Sequence, residues 1–121
     1  MILSRDEGLS NYEVGLLYNY VVNNEIIVAL QQRKVTKLLE DQGVVYLGLF
    51  GSQSRNEARA DSDIDLLVDF AETKSLFELA RIKLSLEEML GGKVDLSLKN
   101  QLKPALRQFV YNDLVTVYEQ N

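Results

Sequence analysis

Apolar residues along this chain follow two rhythms. Near the start they recur every three or four positions: Val14, Leu17 and Val21 share one helical face behind Ser10 and Glu13, a capping-box pair. That spacing predicts a helix over 11–22, and Asn23-Asn24 breaks it. Asn24 is placed to cap a second helix over 25–42, with Val28, Val35, Leu38 and Leu39 toward a core and Gly43 as its stop. The rhythm then changes. Val44–Phe50 is β-rich and apolar on both faces, which predicts an internal strand. Gly51-Ser52 ends it, and a short helix is expected over Gln53–Arg59.

Asp63–Phe70 alternates. Ile64, Leu66, Val68 and Phe70 point one way, while Asp63, Asp65, Leu67 and Asp69 point the other. Ser75 with Glu78 forms a second capping box, opening a helix to about Leu90 that Gly91-Gly92 stops. Val94–Leu98 reads as a third strand, with Asp95 and Ser97 on one face. Pro104 suits the first turn of a helix over 103–112, with Leu106, Phe109 and Val110 inward. The β-branched content of Val115–Glu119 predicts a terminal strand. These elements describe an α/β (α+β) domain over 25–121, a small mixed sheet flanked by helices, preceded by a helical extension over 1–24.

Composition narrows the chemistry. The 121 residues predict one domain. Histidine and cysteine are absent, which excludes a His general base, a thiol nucleophile and the usual structural zinc. Carboxylates, Lys, Tyr and Ser remain, or a hard cation held by oxygen. With 13 Lys+Arg against 18 Asp+Glu the net charge is −5, and no basic stripe is present, so direct nucleic-acid binding is not expected. No apolar run approaches the roughly 18 residues of a membrane span. The amino terminus lacks a basic start followed by an apolar stretch, so a cytoplasmic location is expected.

The informative segment is Gly51-Ser52, then ten residues, then Asp63-Ile64-Asp65. Two positions apart on a strand, Asp63 and Asp65 project from one face and can share one or two divalent cations. Magnesium favours a few carboxylates plus waters and substrate phosphates. A Gly-Ser pair at a strand-to-helix turn offers amides, a hydroxyl and the positive end of a helix, which together cradle phosphate. Cradle and metal site together describe metal-assisted nucleotidyl transfer. Asp95, alone amid Val94, Leu96 and Leu98, is the candidate third carboxylate. Arg55 is placed to approach a triphosphate or to pair with a carboxylate. Arg59, Lys93, Lys99 and Lys103 are further candidates for phosphate steering.

This constellation resembles the minimal nucleotidyltransferases (MNT) of the DNA polymerase beta-like superfamily. Their hallmark is Gly-Ser, ten residues, Asp-x-Asp, inside a stretch much like Leu49-Phe50-Gly51-Ser52 followed by Asp61-Ser62-Asp63-Ile64-Asp65-Leu66-Leu67-Val68. The resemblance covers about Glu25 to Gln120, and Val94-Asp95-Leu96 falls where the family places its third carboxylate. It implies a polymerase beta-like fold, ATP as substrate with one or two Mg²⁺, and Asp63, Asp65 and Asp95 as catalytic metal ligands. Gly51, Ser52 and Arg55 are then expected to bind the nucleotide. It also implies an antitoxin of a HEPN/MNT (type VII) toxin–antitoxin pair that attaches AMP to a tyrosine of a partner HEPN ribonuclease. Two departures stand out: many members read Gly-Ser-Arg-Ala-Arg-Gly, whereas this chain has Gln53 for the first Arg and Asn56 for the last Gly. Asn tolerates a left-handed backbone, so the turn can survive. Two alternatives stay open at this stage. One is an inactive antitoxin that caps its toxin by binding. The other is a small-molecule nucleotidyltransferase of the aminoglycoside-modifying kind.

Overall fold

A computed structural model describes residues 25–55, 57 and 62–120. The expected helix over 11–22 therefore lies outside the described residues. The described elements are α1 (Glu25–Leu30), α2 (Arg33–Asp41), β1 (Val44–Phe50), β2 (Ile64–Phe70), α3 (Leu76–Leu90), β3 (Val94–Leu98), α4 (Pro104–Asp113) and β4 (Val115–Glu119). Short 3₁₀ turns at Gly51–Gln53 and Lys99–Gln101 follow β1 and β3. The strands form one mixed sheet in the order β3-β2-β1-β4. β1 pairs antiparallel with β2 and β4, and β2 pairs parallel with β3. A parallel neighbour needs a crossover, and α3 supplies it. β1 is interior, as its two apolar faces predict.

Helices α1 to α3 close one sheet face. Leu30, Val35, Leu39, Ile82 and Leu86 pack there against Leu47, Leu49, Ile64, Leu66, Val68 and Val94. Each fully buried leucine contributes about 1.5–3 kcal/mol. The other face carries a smaller cluster in which Val110 of α4 meets Tyr46 and Leu67, with Phe50, Leu102 and Leu114 around them. Val44 and Tyr46 belong to opposite faces although two residues apart, because the β1–β2 register shifts between them. Gly48 is what lets α4 close down: a Cβ there would lie 2.6 Å from a Leu114 methyl and 2.7 Å from the Tyr46 hydroxyl.

Three expectations are corrected. The helix over 25–42 is two helices, broken at Gln32, whose backbone is extended (φ −67°, ψ 151°). In a continuous helix Leu30 and Val35, five positions apart, would point about 140° away from each other. The break lets both be fully buried and leaves Val28 59% exposed. On α4 only Val110 is buried; Leu106 and Phe109 are exposed, since the helix meets the sheet through Val110 alone. In place of the start of the helix expected over Gln53–Arg59 there is a 3₁₀ turn that begins at Gly51; residues 56 and 58–59 of that expectation lie outside the described residues. A left-handed Gly51 starts the turn at once, and its carbonyl accepts from the Ser54 and Arg55 amides at 3.1 and 3.2 Å. The capping box at Ser75 and Glu78 is present as the sequence predicts.

Candidate active site

A strand register brings the carboxylates to one place. Asp65 lies beside Asp95 in the parallel β2–β3 ladder. Asp63 precedes β2 by one residue and falls on the Asp65 side of the alternation. The Ile64 N–H donates to the Lys93 carbonyl at 2.8 Å, which starts the ladder next to the acids. Asp63 and Asp95 are exposed and Asp65 is half-buried. Burial pushes the Asp65 carboxyl above the ordinary carboxylate range, the Asp95 and Asp63 charges push it further, and the Arg55 charge offsets part of that rise.

The turn after β1 touches this group. Phe50 is paired with Asp65 across β1 and β2. Gly51 has φ +75°, a conformation that L side chains rarely adopt, and a Cβ on it would run into the Asp65 carboxylate. Glycine is thus required twice over, for backbone angle and for space. Ser52 follows, half-buried, and its carbonyl accepts from the Glu57 N–H at 3.0 Å. The first amides of such a turn have no partner within it.

The donor set fits a hard cation. It consists of carboxylate oxygens only, close enough that Asp95 and Asp63 add to the rise that burial causes in Asp65. Among the described residues no three acids converge tightly enough to enclose a metal ion by themselves. An open set of this kind suits an ion that keeps waters and takes further oxygens from substrate phosphates, as magnesium does.

Arg55 is engaged by carboxylates. Its Nη1 donates to Asp113 Oδ2 at 2.6 Å and its Nε to Glu57 Oε2 at 3.2 Å, which holds the guanidinium more firmly protonated than usual. A cavity of about 330 Å³ opens beside these groups. Gly51, Arg55, Asp95 and Asp113 form its polar side, and Phe50, Leu106 and Phe109 belong to its apolar wall. The exposed α4 residues therefore border the site. Lys99, which follows the last residue of β3, sets its Nζ 4.4 Å from the centre of the Tyr46 ring. Arg59 and Asn56 lie outside the described residues.

The profile of the family described as Polymerase beta, Nucleotidyltransferase matches residues 33–121. The chain belongs to this family. Protein adenylyltransferase MntA of Thermococcus cleftensis is 43% identical over 81 residues, 67% of this chain and 82% of that one. A Methanocaldococcus jannaschii protein, provisionally named a protein adenylyltransferase, is 44% identical over 86 residues, 71% of this chain and 92% of its own. Among solved structures, a chain of a toxin–antitoxin with AMP-PNP superposes with a TM-score of 0.63 at 28% identity, covering 73% of each chain. A complex of tri-AMPylated Shewanella oneidensis HEPN toxin with its MNT antitoxin gives 0.57 at 27% identity, covering 75% of this chain and 71% of that one. The expected fold and superfamily are those observed, and the protein is a nucleotidyltransferase. Among the described residues no helix is long and apolar enough to cross a membrane.

Sequence reasoning did not single out Asp113 or Phe50 as part of this site. Asp113 is 58 residues from Arg55. Its one local signal is an acid at the last turn of a helix, where the dipole disfavours it.

Proposed function

We propose that this nucleotidyltransferase transfers AMP from ATP to a tyrosine of a partner HEPN-domain toxin, acting as the antitoxin of the pair. The observation that carries the reading is the contact of the Gly51 turn with Asp65, which itself lies in register with Asp95. A phosphate cradle and a carboxylate group then share one edge of the sheet. The names of the relatives and of the structural neighbours supply the acceptor class. Residues 25–121 form the catalytic domain in this reading, with 1–24 an appended segment, and the setting is the cytoplasm.

Asp63, Asp65 and Asp95 would hold one or two Mg²⁺, which when bound would neutralise charge on the triphosphate. The Gly51–Gln53 amides and the Ser52 hydroxyl bind the outer phosphates, each hydrogen bond to a charged oxygen being worth about 1.5–3 kcal/mol. The acceptor oxygen attacks the α-phosphorus in line. An O–P bond forms, the bond to the bridging oxygen breaks, and pyrophosphate leaves. Asp95, exposed on the cavity side, takes the acceptor's proton.

Co-expression with the product of the adjacent gene, followed by intact mass of that product, tests this. One or more added AMP masses are expected with the wild type and none with Asp63→Asn/Asp65→Asn. A stable complex with an unmodified partner would sink the transfer reading in favour of capping. AMP found on a small molecule would overturn the partner.

A further inference from the structure

Arg55 and Asp113 make the shortest ion pair described, 2.6 Å between residues 58 apart in sequence. Surface pairs of this kind usually contribute little, so its position matters more than its presence. Three observations give it meaning. Both residues line the cavity that also holds Gly51 and Asp95. The Arg55 N–H is anchored on the Gly51 carbonyl at 3.2 Å, so the guanidinium rises from the phosphate-binding turn itself. Asp113 ends α4 and is only 22% exposed, at a helix terminus where a carboxylate opposes the dipole. An acid at that point gains nothing from its own helix; what it gains is Arg55.

We propose that Asp113 is a positioning residue for the nucleotide, holding the Arg55 guanidinium over the cavity so that Arg55 meets the triphosphate already in place. This rests on the reading of the Gly51 turn as a phosphate cradle. An arginine on a long stem loses rotamer freedom when it binds phosphate, and a fixed partner removes that loss beforehand. The fork of five N–H donors leaves room for both partners: Nη1 and Nε serve Asp113 and Glu57, and among the described residues Nη2 has no partner, so an anion can meet it there. With Gln53 where the family often has its first Arg, Arg55 carries this contact by itself in the turn.

The test is a double-mutant cycle on the full chain, read as Mg²⁺–ATP affinity by titration calorimetry, with thermal unfolding measured without nucleotide. Asp113→Asn is expected to weaken affinity roughly three- to fivefold, the upper part of the range left to a solvent-screened charge pair. The same change in an Arg55→Gln background should add less than about twofold, because Asp113 acts through Arg55. Asp113→Glu should restore most of the loss. Unchanged or tighter binding by Asp113→Asn overturns the proposal, as does an equal loss in both backgrounds. Weakened binding that Asp113→Glu fails to restore, in step with a lowered unfolding temperature, would assign Asp113 a purely structural role. If the wild type binds ATP, and Asp63→Asn/Asp65→Asn does not, while the cycle shows no coupling, this inference alone falls. If the wild type binds no ATP, the cradle reading falls with it.

Discussion

The two faces of β2 divide the molecule's work. On one, Ile64, Leu66 and Val68 lie under three helices, none more than 4% exposed. On the other, Leu67 is covered by α4, while Asp63 and Asp65 stand at the uncovered end beside Asp95. A period of two residues therefore interleaves stability with chemistry along one strand. The covered face gains from every side chain it buries. The open end pays to half-bury a carboxylate beside two like charges, and Asp65 shows this in a proton affinity raised by burial first and by Asp95 and Asp63 second. The contrast teaches that neighbours in sequence should respond to substitution in opposite currencies.

The largest expected effect breaks the first face. Leu66 is fully buried beneath the helices. Leu66→Ala should destabilise the domain by about 2–5 kcal/mol, read as a shift of the urea midpoint at constant slope. Mg²⁺–ATP affinity of the folded fraction should stay within about twofold, since Leu66 faces away from Asp65. A large loss of affinity in folded protein would mean that the two faces are coupled through the strand.

Asp65→Asn probes the other face and should change stability in the opposite direction. The charged carboxylate is half-buried beside two others, and removing its charge relieves both burial and repulsion. The unfolding temperature in metal-free buffer should rise by a few degrees. Mg²⁺–ATP binding should be lost in the same variant. A gain in stability with loss of binding is the signature of a site held at a cost. A fall in unfolding temperature would show that Asp65 serves the fold.

Most of the fold and the candidate acids are legible because they depend on local rules. Alternation placed Asp63 and Asp65 together, and Gly51-Ser52 marked the end of β1. Asp95 was legible as one acid in an apolar strand, and the parallel register that sets it beside Asp65 agrees with that placement. What escaped depends on packing. A continuous helix over 25–42 satisfies its own periodicity, and only the need to bury Leu30 and Val35 together breaks it. Leu106 and Phe109 read as core from spacing, yet α4 meets a sheet face with room for one of its residues, so they border the cavity instead. Asp113 belongs to the site through a contact 58 residues long, which no window of sequence contains.

The smallest effect sharpens the comparison through pH. Glu78 is the counterpart of Asp65: an acid whose environment favours its charge. The Ser75 backbone N–H donates to Glu78 Oε1 at 3.3 Å, the Ser75 hydroxyl accepts from the Glu78 N–H at 3.2 Å, and Lys74 lies 3.5 Å from Oε2. The Ser75 backbone bond, then its side-chain bond, and lastly Lys74 hold the Glu78 carboxyl below its ordinary range. A depressed carboxylate contributes stability that is complete above its unfolded pKa and is lost as pH falls through the folded one. Glu78→Gln should therefore lower the unfolding temperature by about a degree or two at neutral pH. The gap to wild type should close on acidification into the carboxylate range. Glu78 lies in the first turn of α3, remote from β2's open end, so Mg²⁺–ATP affinity should not move. If the gap instead widened on acidification, ionised Glu78 would be a burden like Asp65, and the division between acids that build the fold and acids that strain it would fail.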